Sequence, residues 1–220
     1  MSPTATTTGL VLTGGGARAA YQVGVLQAIA QIRRFVKTRI GDLLDSREPQ
    51  LLAGIVGDLR VVNGQRGRVA LFKLDDMSDV VEAVANEDLL LANRDLLKDD
   101  ELVIVQGKAQ PDRFSGGIRL NVQSVWDLAA ARCRFGKYLQ VEERGSVPPL
   151  AEVQREFPLR RVATEHGELT HGLKVRLRVW RQPASAEVDL GDDSRFYPTD
   201  AALARLRAAA YQGQAVVVYD

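Results

Sequence analysis

The stretch Arg60 to Asp76 leaves this chain the fewest options. Two strand-forming runs flank a basic turn, in which Asn63-Gly64 and Gly67 can supply the positive φ of a tight hairpin. Alternation puts Ala70, Phe72 and Leu74 on one face of the second run and Leu71 with Lys73 on the other, so Phe72 is expected in a core. The flanks extend the pattern. Strands are expected over 51–62, 68–74 and 79–85, then a helix over 86–97 with Asn86 as N-cap and Leu89, Leu90, Asn93 and Leu97 on one face. Further strands are expected over 102–109 and 118–126, separated by a loop over 111–117. In the last of these, Ile118, Leu120 and Val122 alternate with Arg119, Asn121 and Gln123. Three strands, a helix and two strands is the order of the OB-fold, a five-stranded Greek-key barrel.

A helical linker over 128–136 leads to a second unit, 137–220, of α+β type. Strands are expected over 137–143, 173–180, 186–190 and 216–219. Helices are expected over 149–157 and over 199–210, the latter with Thr199 as N-cap. Residues 145–149 and 165–172 read as irregular links. Ahead of the barrel domain (51–127) lie a fragment over 1–34 and a connecting helix over 35–50. In the fragment a short strand at 9–13 enters Gly14-Gly15-Gly16. Ala19, Val23, Leu26, Ala30 and Phe35 then recur at helical spacing, and that helix is expected to run through Ile40, Leu43 and Leu44 until Pro49 stops it. The overall fold class is α+β.

Charge narrows the function. Residues 136–220 carry twelve Lys and Arg against twelve Asp and Glu, and the whole chain has a net charge of +1. A strongly basic nucleic-acid binder is excluded at the level of whole domains, so any such role rests on a local patch. No apolar run reaches the roughly 18 residues of a membrane span, and residues 1–8 lack the pattern of a secretory leader. Cys133 is the only cysteine, which excludes an internal disulfide and fits a reducing cytoplasm. His166 and His171 lack further ligands, and no metal or other cofactor is expected. Asp75-Asp76 and Asp99-Asp100 read as solvated turn acids, Trp126 and Trp180 as core or domain-interface packing, and Cys133 as a small packing residue.

The head carries a motif of its own. Gly14-Gly15-Gly16-Ala17-Arg18, followed by Ala-Ala-Tyr-Gln-Val-Gly-Val-Leu, resembles the start of patatin-like phospholipases. In that family such a turn supplies the backbone N–H groups of an oxyanion hole, which assigns Gly14, Gly15, Gly16 and Arg18 to a vestigial hole here. The acyl hydrolase that this implies needs a Gly-x-Ser-x-Gly elbow and an Asp-Gly dipeptide. No serine of the chain has glycines at both minus two and plus two, and no Asp-Gly occurs. Gly14-x-Gly16-x-x-Ala19 also fits a loose dinucleotide fingerprint, but no parallel strand ending in an acid follows it. No catalytic residue is assigned and no small-molecule substrate is expected.

The body carries longer phrases. Leu-Ala-Gly-Ile-Val-Gly-Asp-Leu-Arg-Val-Val-Asn-Gly-Gln-Arg-Gly, Leu-Leu-Lys-Asp-Asp-Glu-Leu-Val-Ile-Val-Gln-Gly-Lys, Gln-Pro-Asp-Arg-Phe-Ser-Gly-Gly-Ile-Arg-Leu-Asn-Val and Leu-Gly-Asp-Asp-Ser-Arg-Phe-Tyr-Pro-Thr-Asp-Ala-Ala-Leu resemble the C-terminal region of the bacterial DNA polymerase III alpha subunit from about residue 35 onward. The resemblance implies a non-catalytic replication module in the cytoplasm, since the family's polymerase palm lies upstream of this region. It implies an OB domain that binds single-stranded DNA and a final domain that contacts the tau subunit of the clamp loader, alongside other replicase subunits. On the residues themselves, OB-folds grip single strands with a basic groove and aromatic platforms. The candidates are Arg60, Arg66, Arg68 and Lys73 on the first hairpin and Arg113, Phe114 and Arg119 around the last. Phe114 is the stacking candidate. Binding is expected to be weak, salt-sensitive and indifferent to sequence.

Overall fold

The computed structural model describes residues 31–64, 67–112, 116–145, 149–164 and 167–219. The chain divides into two units, 1–34 and 35–220. Nearly all of the first unit, with its expected strand, glycine turn and helix, lies outside the described residues. The elements below belong to the second.

Five strands close into a barrel in the order β1-β2-β3-β5-β4. They are β1 (Gln50–Gly64), β2 (Gly67–Asp75), β3 (Val80–Asn86), β4 (Leu102–Pro111) and β5 (Ile118–Trp126). All pairings are antiparallel except β3 with β5, the Greek-key signature. Inward residues alternate with outward ones as the pleat requires. Leu52, Val56, Ala70, Phe72, Leu74, Val81, Ala83, Val103, Val105 and Leu120 fill the interior. Each such Val, Leu or Phe contributes about 1.5–3 kcal/mol by leaving water. Two bulges bend the barrel. Asp58 and Leu59 oppose the single residue Phe72, with Asp58 at φ 53, and β5 holds one extra residue opposite Gln106/Gly107. At the second bulge the backbones come close enough that a Cβ on Gly107 would lie 2.5 Å from the Asn121 carbonyl oxygen.

Between β3 and β4, α1 (Glu87–Ala92) closes one end of the barrel. Asn86 caps it as expected, its Oδ1 accepting the Leu89 N–H at 2.9 Å. The helix is shorter than the 86–97 expected. Asn93 turns its Nδ2 back to the Leu89 carbonyl at 2.9 Å and the chain continues in turns, which still deliver Leu97 to the core.

The connecting helix expected over 35–50 does not form. Only a 3-10 turn, Ile40–Asp42, interrupts an extended run into β1. Long-range acceptors have replaced the helical ones. The Ile40 N–H donates to the Asp76 carboxylate at 3.1 Å and the Gly41 N–H to Ser78 Oγ at 3.1 Å. Asp76 is therefore a buried structural acid and not the solvated turn acid that its neighbour Asp75 is. Asp99 also has a structural task, accepting the Leu59 N–H at 2.9 Å beside the first bulge.

The helix α2 (Leu128–Phe135) joins the barrel to a second sheet. Its N-cap is Asp127, which accepts the Ala130 N–H. The sheet has the order β10-β9-β6-β11: β6 (Tyr138–Glu143), β9 (Lys174–Arg181), β10 (Ala184–Asp189) and β11 (Ala215–Val218), with β6 and β9 parallel. One face packs on α3 (Leu150–Glu156) and α4 (Asp200–Ala209) through Leu139, Val141, Val153, Val175, Leu203 and Leu206. Thr199 caps α4 as expected. The link expected over 165–172 is in large part strand: β7 (Arg160–Thr164) and β8 (Gly167–His171) pair as a hairpin.

Aromatic rings join the two parts of this unit. Phe35 stacks on Phe135 at 5.4 Å and on Tyr219 at 5.1 Å, and Trp126 meets Phe135 edge-on at 5.6 Å. Arg132 of α2 is 1% exposed, donates to the Pro198 carbonyl at 2.8 Å and pairs with Asp200 at 2.6 Å, which ties the linker to the start of α4. Trp126 thus packs between domains, as the sequence suggests. Trp180 does not: it is 39% exposed. Cys133 lies against the second core, where burial pushes its thiol up to about 12.

Candidate nucleic-acid interface

Register traces three rows of outward side chains round the closed barrel, and their stretch on β1, β2, β3 and the adjoining β5 forms one outer face. Nearest the β1–β2 turn, Val62 pairs with Val69 and Val69 with Asn86. In the middle, Arg60, Leu71, Val84, Asn121 and Lys108 follow one another across β1, β2, β3, β5 and β4. Nearest the β4–β5 turn, Gly57, Lys73, Glu82, Arg119 and Gln110 do the same. From Glu82 to Asn86 the face runs on the order of 13 Å along β3. A turn thus stands at each end of the face, as in the binding face of an OB barrel.

Each turn is anchored. At the first, Gly67 takes φ 110, and Glu87 at the start of α1 grips Arg68 twice: the backbone N–H donates at 3.1 Å and Nε at 2.7 Å. The Arg68 guanidinium and N–H hold the Glu87 carboxyl below the usual carboxylate range. At the second, Asp112, whose side chain is 4% exposed, closes the loop base through its backbone, with its N–H donating to the Gly117 carbonyl and its carbonyl accepting from Gly116. Its carboxylate meets Arg119 Nη2 at 3.1 Å.

The candidate cations separate into three groups. Lys73 and Arg119 lie on this face and Arg68, which shares the strand parity of inward Ala70 and Phe72, stands at its first turn, but each already holds a carboxylate. Lys73 pairs with the bulge residue Asp58 at 2.7 Å and holds that carboxyl below its ordinary value, while Arg119 bridges Glu82 and Asp112 at 3.1 Å each. On this side the barrel carries ion pairs in place of a row of free cations. Arg60 is exposed in the middle row with no ion pair among the described residues. Arg66, Arg113 and Phe114 fall outside the described residues, as do Gly14, Gly15, Gly16 and Arg18 of the head and His166. Among the described residues, no three His, Cys, Asp or Glu side chains come together to hold a metal.

Sequence reading missed the centre of the face. Leu71 and Val84 form a half-buried aliphatic floor with exposed Val62 beside it, and Asn121 follows Val84 on β5 with Lys108 beyond it on β4. Asn121 Nδ2 donates to Gln110 Oε1 at 2.9 Å, which leaves Asn121 Oδ1 and the Gln110 amide hydrogens for a ligand. Alternation shows that these side chains point outward. Only cross-strand register shows that they are neighbours. The Nε–H of Arg119 is buried without an acceptor among the described residues. Chemically, the face offers an apolar floor, amide groups and cations that can exchange a carboxylate for a phosphate.

Residues 51–128 match a protein family described as OB-fold nucleic acid binding domain. The DNA polymerase III subunit alpha of Pseudomonas aeruginosa is 29% identical over 178 residues, covering 80% of this chain and 15% of that protein. That of Pseudomonas fluorescens is 36% identical over 113 residues, 51% of this chain and 10% of that protein. For Escherichia coli K12 the figures are 28% over 218 residues, 97% of this chain and 18% of that protein, an alignment that reaches into the glycine-rich head. The chain therefore spans less than a fifth of the length of these relatives. Among solved structures, a small single-stranded DNA-binding protein from Streptomyces coelicolor is 18% identical, with a TM-score of 0.33 over 38% of this chain and 97% of that one.

Proposed function

We propose that this chain is a non-catalytic module of a replicative DNA polymerase, working in the cytoplasm and binding single-stranded DNA across the outer face of its OB barrel. The observation that carries the reading is the register. It sets Arg60, Leu71, Val84 and Asn121 in succession between two anchored turns, with Lys108 following on β4. Similarity to the alpha subunits supports the replicative setting. The strand's phosphates meet Arg60, Lys108 and the turn arginines Arg66 and Arg113, and its bases lie over the aliphatic floor, with Phe114 supplying a ring from the second turn. Arg68, Lys73 and Arg119 join by exchanging carboxylates for phosphates, so the net charge gained is small and the affinity modest.

Fluorescence anisotropy of labelled oligo-thymidylate tests this. Binding is expected at about 20 mM salt and should weaken steeply by about 200 mM. Arg66→Ala combined with Arg68→Ala should flatten the salt slope by about one to two units, since each phosphate contact adds close to one. An absence of binding at low salt would sink the reading, and an unchanged slope would remove the first turn from the site. The second sheet domain, 137–220, is proposed to contact the clamp-loader tau subunit. A pull-down with the full chain that recovers no tau would overturn that part alone.

A further inference from the structure

A cleft of about 340 Å³ opens at the far end of the second sheet, lined by Arg144, Trp180, Arg181, Gln182, Pro183 and neighbouring small residues of β10. From it we infer that the second domain carries its own contact for a nucleotide of single-stranded nucleic acid, with a base on Trp180 and phosphate on Arg144.

Three observations support the assignment. First, Trp180 is held in place although it is exposed. Its indole N–H donates to Glu142 at 3.0 Å, and the Arg178 guanidinium lies 5.6 Å from the ring centroid. A large apolar ring at a strand end gains little by burial there. Fixed in one orientation, it is a stacking platform prepared in advance. Second, the cleft's lining includes two guanidinium groups and no carboxylate. The acids behind it are already engaged: Glu142 takes the indole N–H, and buried Glu143 takes Arg181 at 3.1 Å. Arg144 donates to Tyr211 Oη at 2.7 Å and lies over that ring at 5.3 Å, so its position is set while its charge has no carboxylate partner among the described residues. Third, the size is at the lower end for ligand clefts, which suits one unit of a polymer better than a whole small molecule. A planar stacking surface beside an arginine with no carboxylate partner among the described residues is nucleotide chemistry. An acidic peptide would use the arginine but would leave the indole idle.

The test uses the full chain with short oligo-thymidylate carrying photoreactive 4-thiothymidine, at about 20 mM salt where phosphate contacts are strongest. Adducts are expected on the peptide spanning Trp180 to Ser185, together with quenching of Trp180 fluorescence that Trp180→Phe abolishes. Arg144→Gln, on an exposed side chain, should cut the adduct yield at this peptide at least threefold and leave any barrel adducts unchanged. Trp180→Ala should weaken the local contact by about 5- to 150-fold, the range of a lost base-stacking contact. Adducts confined to barrel peptides would overturn this site and leave the barrel reading standing, whereas adducts here alone would do the reverse. Quenching of Trp180 by polyglutamate as strong as by oligonucleotide would overturn the nucleotide assignment in favour of an acidic peptide.

Discussion

At the scale of the residue, Glu82 and Glu87 restrain the barrel face. Each holds an arginine that could otherwise meet a phosphate, and exposed pairs of this kind are weak and screened by salt. Glu82→Gln is therefore expected to tighten oligo-thymidylate binding roughly 1.5- to 5-fold at low salt, measured by anisotropy. Weaker binding would show that the carboxylate positions Arg119 and does not compete with the strand. The pairs also have a pH signature. The Asp58 and Glu87 carboxyls lie below their ordinary values because Lys73 and Arg68 hold them. Their stabilising effect is thus present above the ordinary carboxylate range and is lost only as pH falls through the depressed values. Cys133 behaves in the opposite sense. Burial raises its thiol to about 12, so its contribution is complete below the usual thiol value of about 9 and declines as pH rises toward 12. A thiol-reactive disulfide reagent at pH 8 should label the native protein orders of magnitude more slowly than the unfolded chain. Rapid stoichiometric labelling would contradict this burial.

At the scale of the element, the bulges decide where the strands turn and therefore which side chains meet. Gly107→Ala would force a Cβ against the Asn121 carbonyl oxygen, a backbone atom that cannot swing aside. The expected cost is about 1–3 kcal/mol, read from urea unfolding, and oligonucleotide binding should fall because Lys108 and Asn121 shift with the strand. A smaller effect on stability would mean that the bulge can relax. The barrel strands and both caps, Asn86 and Thr199, are legible in the sequence because period-two alternation and N-cap chemistry are local. The connecting helix over 35–50 was misread for the complementary reason. Helical spacing at Ile40 and Leu43 is real, but the Ile40 and Gly41 N–H groups find Asp76 and Ser78, some 36 and 37 residues away, which no local pattern reveals.

At the scale of the whole unit, the cluster of Phe35, Trp126, Phe135 and Tyr219 with the buried Arg132 makes the barrel and the second sheet cooperate. A single unfolding transition is expected for residues 35–220 in calorimetry. Phe135→Ala, which removes the ring that both Phe35 and Trp126 touch, should cost about 2–3 kcal/mol, short of the range for fully buried rings, and split the transition in two. One unchanged transition would place the coupling elsewhere. The sequence by itself determined that five strands and a capped helix build an OB barrel, because side-chain alternation, turn glycines and caps act within a few residues. It also located the first basic hairpin at Arg60–Asp76. The tertiary structure alone decided what that hairpin is. Closing the barrel brought Asp58, Glu82, Glu87 and Asp112 against Lys73, Arg68 and Arg119, and it laid Leu71, Val84 and Asn121 in succession from Arg60. Charge pairing and cross-strand adjacency depend on distances between residues far apart in the chain. A run of basic residues in sequence thereby became a nearly neutral face whose grip is set by exchange of ion pairs.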